Sequence, residues 1–194
     1  MKALRAAIVW LSDPSRRFIP LFLGYLWILT TLTGFLAGPT IEKLLSATAW
    51  VDYQLLDLFS DQARLNGIVV TFGGFSVQII PECTGLFEAV ILASAVLAYK
   101  ATWLERLQGI FLGTLTLYLL NVIRIAFLLV VGRYQPDLFD FAHVYLWQTL
   151  LIVFITGIWL IWIHYFVKEA TDGISGDISA DVVREEVHDE LGAR

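Results

Sequence analysis

Three side chains in this sequence could do covalent chemistry together. They are its one cysteine, Cys83, in IIPECTGLFEAV; Arg124, in YLLNVIRIAFLLVV; and His143, in FAHVYLW. A thiolate attacks carbonyls, an imidazole moves the protons of that attack, and a guanidinium holds the negative charge that develops. The three types therefore suit acyl transfer through a thioester. Each also has an ordinary reading. A solitary cysteine in a membrane helix is most often packing, and a histidine near an interface is most often just solvated. Arg124 is harder to set aside, because an arginine deep in a span costs roughly 3 kcal/mol unless it is paired or snorkels. A pair with Glu88, or with a lipid phosphate, is its structural alternative.

The elements that must hold these residues follow from composition. The 194 residues are 58% hydrophobic and 16% charged, with seven tryptophans, and the mean hydropathy is +0.72. Soluble domains have roughly 45–50% apolar residues, so the chain reads as an all-α integral membrane protein. Four segments approach the ~20 apolar residues a span needs: Phe18–Leu36, Pro81–Tyr99, Leu104–Val131 and Val144–Val167. No small-residue cleavage site ends the first, which is expected to be a retained transmembrane helix. The second holds Glu82 at its start and Glu88 two turns in; an acid there is functional or paired.

Bases decide the orientation. Lys2, Arg5, Arg16 and Arg17 precede the first span, and Lys100 and Arg106 lie between the second and third. By the positive-inside rule both regions are cytoplasmic, which sends residues 37–80 and 132–143 outward. Cys83 then falls at the outer mouth of the second span, in a first turn where orphan N–H groups and the helix dipole favour negative charge. Arg124 lies roughly 10 Å of helix rise inside the outer end of the third span. His143 stands at the outer mouth of the fourth.

The first outer loop has a pattern of its own. Ile41, Leu44, Leu45, Thr48, Val51, Leu55, Leu56 and Phe59 keep a helical period, with Glu42, Asp52, Asp57 and Asp61 mostly off the stripe, as in an amphipathic surface helix. GIVVTF and FSVQII around Gly73-Gly74 read as a candidate β-hairpin leading into Pro81.

The membrane-embedded unit is thus residues 1–167, and residues 168–194 form an acidic cytoplasmic tail. That tail holds eight acids against three bases, the whole of the net charge of −5. With no basic stripe, nucleic acid is excluded as a partner. One cysteine excludes an internal disulfide, and no cluster suggests a metal; no cofactor is expected. Among lesser candidates, Asn121 stands one turn before Arg124 and could orient it, or make a helix–helix hydrogen bond. Thr84 and Gly85 permit close approach of a substrate carbonyl or of another helix. His164 and His188 fall at the cytoplasmic side, and Trp147, Trp159, Trp162, Tyr118 and Tyr145 read as interfacial belts.

At these residues the chain resembles the exosortase/archaeosortase family of membrane transpeptidases. The likeness rests on the ECTG box with Cys83, the segment NVIRIAF with Arg124, and His143 heading the last span, in that order, over about residues 64–165. The small size resembles the short exosortase H type. The resemblance implies Cys83 as nucleophile with Arg124 and His143 as its partners; Glu82, Thr84, Gly85, Glu88 and Asn121 are, from their positions, supporting or substrate-binding candidates. It also implies exported protein substrates with a C-terminal sorting signal: a short motif, of an Ile-Pro-Thr-Leu type for exosortase H, then a transmembrane helix and a basic cluster. Thr84 replaces the serine of many members and keeps the hydroxyl. On the residues alone, two other classes stay open. A scaffold or transporter subunit would have an inert Cys83 and a buried Arg124–Glu88 pair, whereas a lipid-phosphate enzyme would bind phosphate without need of the thiol.

Overall fold

The computed structural model describes residues 17–35 and 38–167. The basic residues Lys2, Arg5 and Arg16, and the acidic tail with His188, lie outside the described residues. The elements in order are α1 (Phe18–Phe35), α2 (Pro39–Asp57), β1 (Ala63–Asn66), β2 (Val69–Phe72), β3 (Phe75–Gln78), α3 (Leu86–Ala98), α4 (Trp103–Tyr134) and α5 (Trp147–Phe166). A 3-10 turn, Pro81–Cys83, precedes α3, and a second one, Pro136–Leu138, leads through a π-helical stretch, Phe141–Leu146, into α5.

The all-α membrane bundle expected from the sequence is the one observed. The helices α1, α4 and the run Pro136–Phe166 are each long and apolar enough to cross a membrane. The expected second span is shorter than its apolar run. Gly85 takes a left-handed conformation (φ 74°) and splits it into the turn carrying Cys83 and the 13-residue α3. At about 1.5 Å per residue α3 covers ~20 Å, less than the ~30 Å hydrocarbon core. Packing joins α3 to α1, α4 and α5.

A capping box starts α4. Thr102 Oγ1 accepts from the Glu105 amide (3.4 Å), and the Glu105 carboxylate accepts from the Thr102 amide (2.8 Å), which satisfies two otherwise orphan donors. Further along, Gly109 and Gly113 leave room for Trp162 of α5 and Leu92 of α3 against the α4 backbone, the small-residue packing that lets membrane helices approach closely. Trp162 and Trp147, expected in interfacial belts, are buried instead.

At the other end of α4 the outer loop folds into a cap. The hairpin turns at Gly73-Gly74 (φ 55° and 93°), with Phe72 paired to Phe75. Positive φ at both positions suits two glycines. A third strand, β1, pairs antiparallel with β2 about Gly67. The helix α2 lies against β1, β2 and α4, burying Leu45, Thr48, Ala49, Asp52 and Leu56. Asp52, expected off the apolar stripe, is fully buried on it. Cap and bundle share one core, in which Leu45, Val70, Phe72 and Ile79 join Ile125 and Leu129 of α4, and Cys83.

Candidate active site

Cys83 closes its 3-10 turn rather than opening a helix, as its N–H donates to Ile80 O at 2.8 Å. Thr84 locks the turn, because its Oγ1 donates to Pro81 O at 2.7 Å and accepts from the Leu86 amide at 3.4 Å. The expected placement of Cys83 on the first turn of α3 is therefore corrected. Gly85 intervenes, and the helix's own bonding begins with the Ala89 amide on Gly85 O at 3.0 Å. Asn121 of α4 clasps the turn from outside. Its Nδ2 donates to the Cys83 carbonyl, and its Cβ and Cγ stand close over Gly85. The thiol itself is buried in the shared core.

One turn after Asn121, Arg124 points from the same helix into a cavity of about 380 Å³. Glu82, Glu88, His143 and Gln148 line the same space. Arg124 lies about 15 Å of helix rise from the C-terminal end of α4, which runs to Tyr134. It is buried, and its Nε has no acceptor; Glu88 Oε2, also buried, has no donor. Among the described residues the two share a cavity without a hydrogen bond between them. His143, half-buried in the π-helical stretch, stacks on Phe139 (centroids 5.6 Å apart, planes at 28°), and Arg124 and Asp140 are its charged neighbours.

The structure thus brings Glu82, Glu88, Arg124 and His143 to one cavity. Asn121 goes to the Cys83 turn, and Thr84 and Gly85 go to a separate apolar groove between α3 and α4. Cys83 stands between the two spaces, with its neighbours Glu82 and Thr84 lining one each. Sequence reasoning missed Gln148, whose signal was an amide inside an apolar span, and Phe139, one turn before His143.

A cavity whose apolar wall carries a buried cation, an imidazole and two acids suits a strongly polarised ligand. Comparison with protein families matches residues 3–163 to the family described as transmembrane exosortase (Exosortase_EpsH). The chain belongs to that family, as a multi-pass membrane protein whose membership points to a membrane transpeptidase or protease role. No curated protein and no solved structure matches it.

Proposed function

We propose that the protein is a cysteine transpeptidase that cleaves the C-terminal sorting signal of exported proteins at the membrane–water interface, with Cys83 as nucleophile. The observation that carries this reading is the gathering of Arg124, His143, Glu82 and Glu88 around one cavity beside the Cys83 turn. On the positive-inside rule the end with Arg17, Lys100 and Arg106 faces the cytoplasm of a bacterial inner membrane. Both termini are then inside, and the Cys83 end faces outward.

The substrate's own transmembrane helix docks on the bundle and carries its scissile peptide to the Cys83 turn, so that remote binding energy positions the reacting carbonyl. Because Cys83 is buried, docking must also draw the Pro81–Gly85 turn toward the cavity. His143 accepts the thiol proton as the sulfur attacks the carbonyl carbon. Arg124 holds the oxyanion through charge-assisted hydrogen bonds, strong where water is scarce. Collapse breaks the C–N bond, His143 returns the proton to the departing amine, and a thioester remains on Cys83. Water or an acceptor amine then attacks the thioester, giving its proton to His143 and releasing the thiolate. With water the outcome is cleavage; with an amine it is transfer.

The experiment pairs processing with accessibility. In cells making an exported protein with such a C-terminal signal, Cys83→Ala should abolish processing, by on the order of 10³-fold or more, with membrane insertion intact. Wild-type Cys83 should react with a membrane-impermeant thiol reagent from outside. Normal processing by Cys83→Ala would remove the nucleophile, and a thiol inert from outside during turnover would favour a scaffold.

A further inference from the structure

The sheet that caps the bundle ends on β3, and β3 leads straight into the Cys83 turn. In its pairing with β2, Phe75 stands opposite Phe72 and Val77 opposite Val70, and the Ile79 amide donates to Ile68 O at 2.8 Å. Antiparallel strands bond at alternate pairs, so Phe75, Val77 and Ile79 turn their backbone groups to β2. Ser76, Gln78 and Ile80, the last still extended (φ −113°, ψ 166°), therefore turn theirs the other way. Among the described residues β3 pairs with β2 alone, and all three of these residues are exposed. Of their outward groups only the Ile80 carbonyl is taken, by the Cys83 amide at 2.8 Å.

This edge belongs to the side of the sheet nearest the candidate active site. The Phe75 ring packs on Phe139 (centroids 5.1 Å apart) and Phe139 on His143 (5.6 Å), whereas the opposite edge strand, β1, lies against α2. The strand also descends toward the cavity. Phe75 stands against Gly132, near the C-terminal end of α4. The Cys83 carbonyl is held by Asn121, roughly 16 Å of helix rise back along α4. Glu82, beside Cys83, already lines the cavity. An unpaired edge is a template for an extended chain, and this one runs about 13 Å from Ser76 to Ile80.

We propose, resting on the function given above, that the free edge of β3 binds the substrate's extended cleavage segment as an added strand, parallel to β3, and delivers it to the Cys83 turn. Under that function the segment precedes an apolar helix docked on the bundle. Its chain must then run toward the bundle, as β3 does, so the pairing is parallel. In a parallel ladder one residue of the peptide donates its N–H to Ser76 O and accepts from the Gln78 amide. The residue two further on donates to Gln78 O and accepts from the Ile80 amide. The residue between them makes no bond to the edge. These four bonds fix the position of the scissile peptide and are indifferent to its side chains.

The test uses the full-length Cys83→Ala protein in detergent micelles. The probe is the synthetic C-terminal signal of an exported protein that the wild type processes, and the readout is hydrogen exchange resolved to single amides. Probe binding should slow exchange at Gln78 and Ile80 about tenfold or more, while Val77 and Ile79, already bonded to β2, stay as they were. N-methylation of the probe at successive residues should weaken binding with a period of two, about fivefold at the two bonded residues and little at the one between them. In the active enzyme, Gln78→Pro removes one edge donor where the ladder to β2 needs none. KM for the signal should rise about tenfold with kcat nearly unchanged, as when binding shared by ground and transition states is lost. The exchange and methylation readouts do not depend on the folding of that variant. Gln78 and Ile80 amides that exchange freely with saturating probe present, or binding indifferent to where the methyl is placed, would overturn the added strand. Cys83 would remain the nucleophile in that case, since the probe is one that the wild type processes, whereas processing that survives Cys83→Ala would remove the function itself. Slow exchange of both amides before any probe is added would assign the edge to a second copy of the chain and overturn the peptide.

Discussion

The two ends of the bundle treat buried polar groups differently. Opposite Cys83, side chains mostly end on partners: Glu105 on the Thr102 amide, Arg106 Nη2 on Tyr99 O, and Trp162 Nε1 on Glu105 O at 2.8 Å. At the Cys83 end, Arg124 Nε, Asn121 Oδ1, Glu88 Oε2, Thr48 Oγ1 and both carboxylate oxygens of Asp52 have none. A buried group without a partner costs about 1–3 kcal/mol, so a cluster of them persists where something offsets that cost. Arg124 and Glu88 face one cavity, where under the proposed function a bound substrate would offset it. The exceptions at the other end are Arg106 Nε and Trp159 Nε1.

After Cys83→Ala, the largest expected effect comes from the arginine. Arg124→Lys keeps the charge in the cavity but loses the fork of parallel donors. Processing should fall on the order of 10²- to 10³-fold, as when a donor to an oxyanion is removed, while insertion and unfolding temperature stay near wild type. Initial rates of substrate cleavage measure this. A wild-type rate would make Arg124 a membrane anchor and erase the difference between the two ends.

Asp52 breaks the comparison in another direction, because it is orphaned without facing the cavity. Burial between α2, the sheet and α4 pushes its carboxyl up to about 8, so it is held as the neutral acid. The unfolded carboxyl gives up its proton near 3.8. Between these values the unfolded state binds fewer protons, and stability falls as pH rises, by up to about 1.4 kcal/mol per pH unit. Below the window this dependence vanishes. Asp52→Asn should flatten thermal unfolding across pH 4–8 and be more stable than wild type at the upper end. Unchanged slopes would mean that Asp52 finds a charge partner.

Much of this contrast was legible from residue types. Arg124 and His143 share one cavity, although α4 runs past its expected end at Val131 to Tyr134, and Gly73-Gly74 turns the hairpin because positive φ at two successive positions has few other solutions. What escaped was decided by tertiary contact. The periodicity of α2 is satisfied by a stripe that includes Asp52 once a sheet covers that face, and a charge off an apolar stripe gives no warning of that. Pro81 reads as a helix start, so Cys83 looked like a first-turn residue. Only the left-handed Gly85 and the Asn121 clasp show that its turn is separate. The strand Ala63–Asn66 is four residues of mixed polarity and pairs because β2 is already there to template it.

The clasp supplies a smaller prediction. In Asn121→Ala the Cys83 carbonyl loses its donor, and a void opens over Gly85. The cost should be about 1–3 kcal/mol of stability, seen as a lowered unfolding temperature, with a loss of processing that exceeds the loss of folded protein. A stability loss alone would limit Asn121 to holding the helices together.

The smallest effect is expected at the opposite end, where it sharpens the comparison most. Trp162 is buried against Gly109, with its indole N–H on Glu105 O and its ring edge-on to Tyr99 at 5.9 Å. Replacing it with Phe removes one hydrogen bond and some volume, but the Glu105 carbonyl stands in the first turn of α4 and retains a helical donor. The loss should be about 1 kcal/mol, within reach of thermal unfolding, and processing per folded molecule should stay within about twofold of wild type. Networks that are already satisfied serve the fold. If Trp162→Phe instead slowed processing tenfold at unchanged stability, the two ends would be coupled through α4 and α5, and the unpartnered groups near Cys83 would no longer mark the site by themselves.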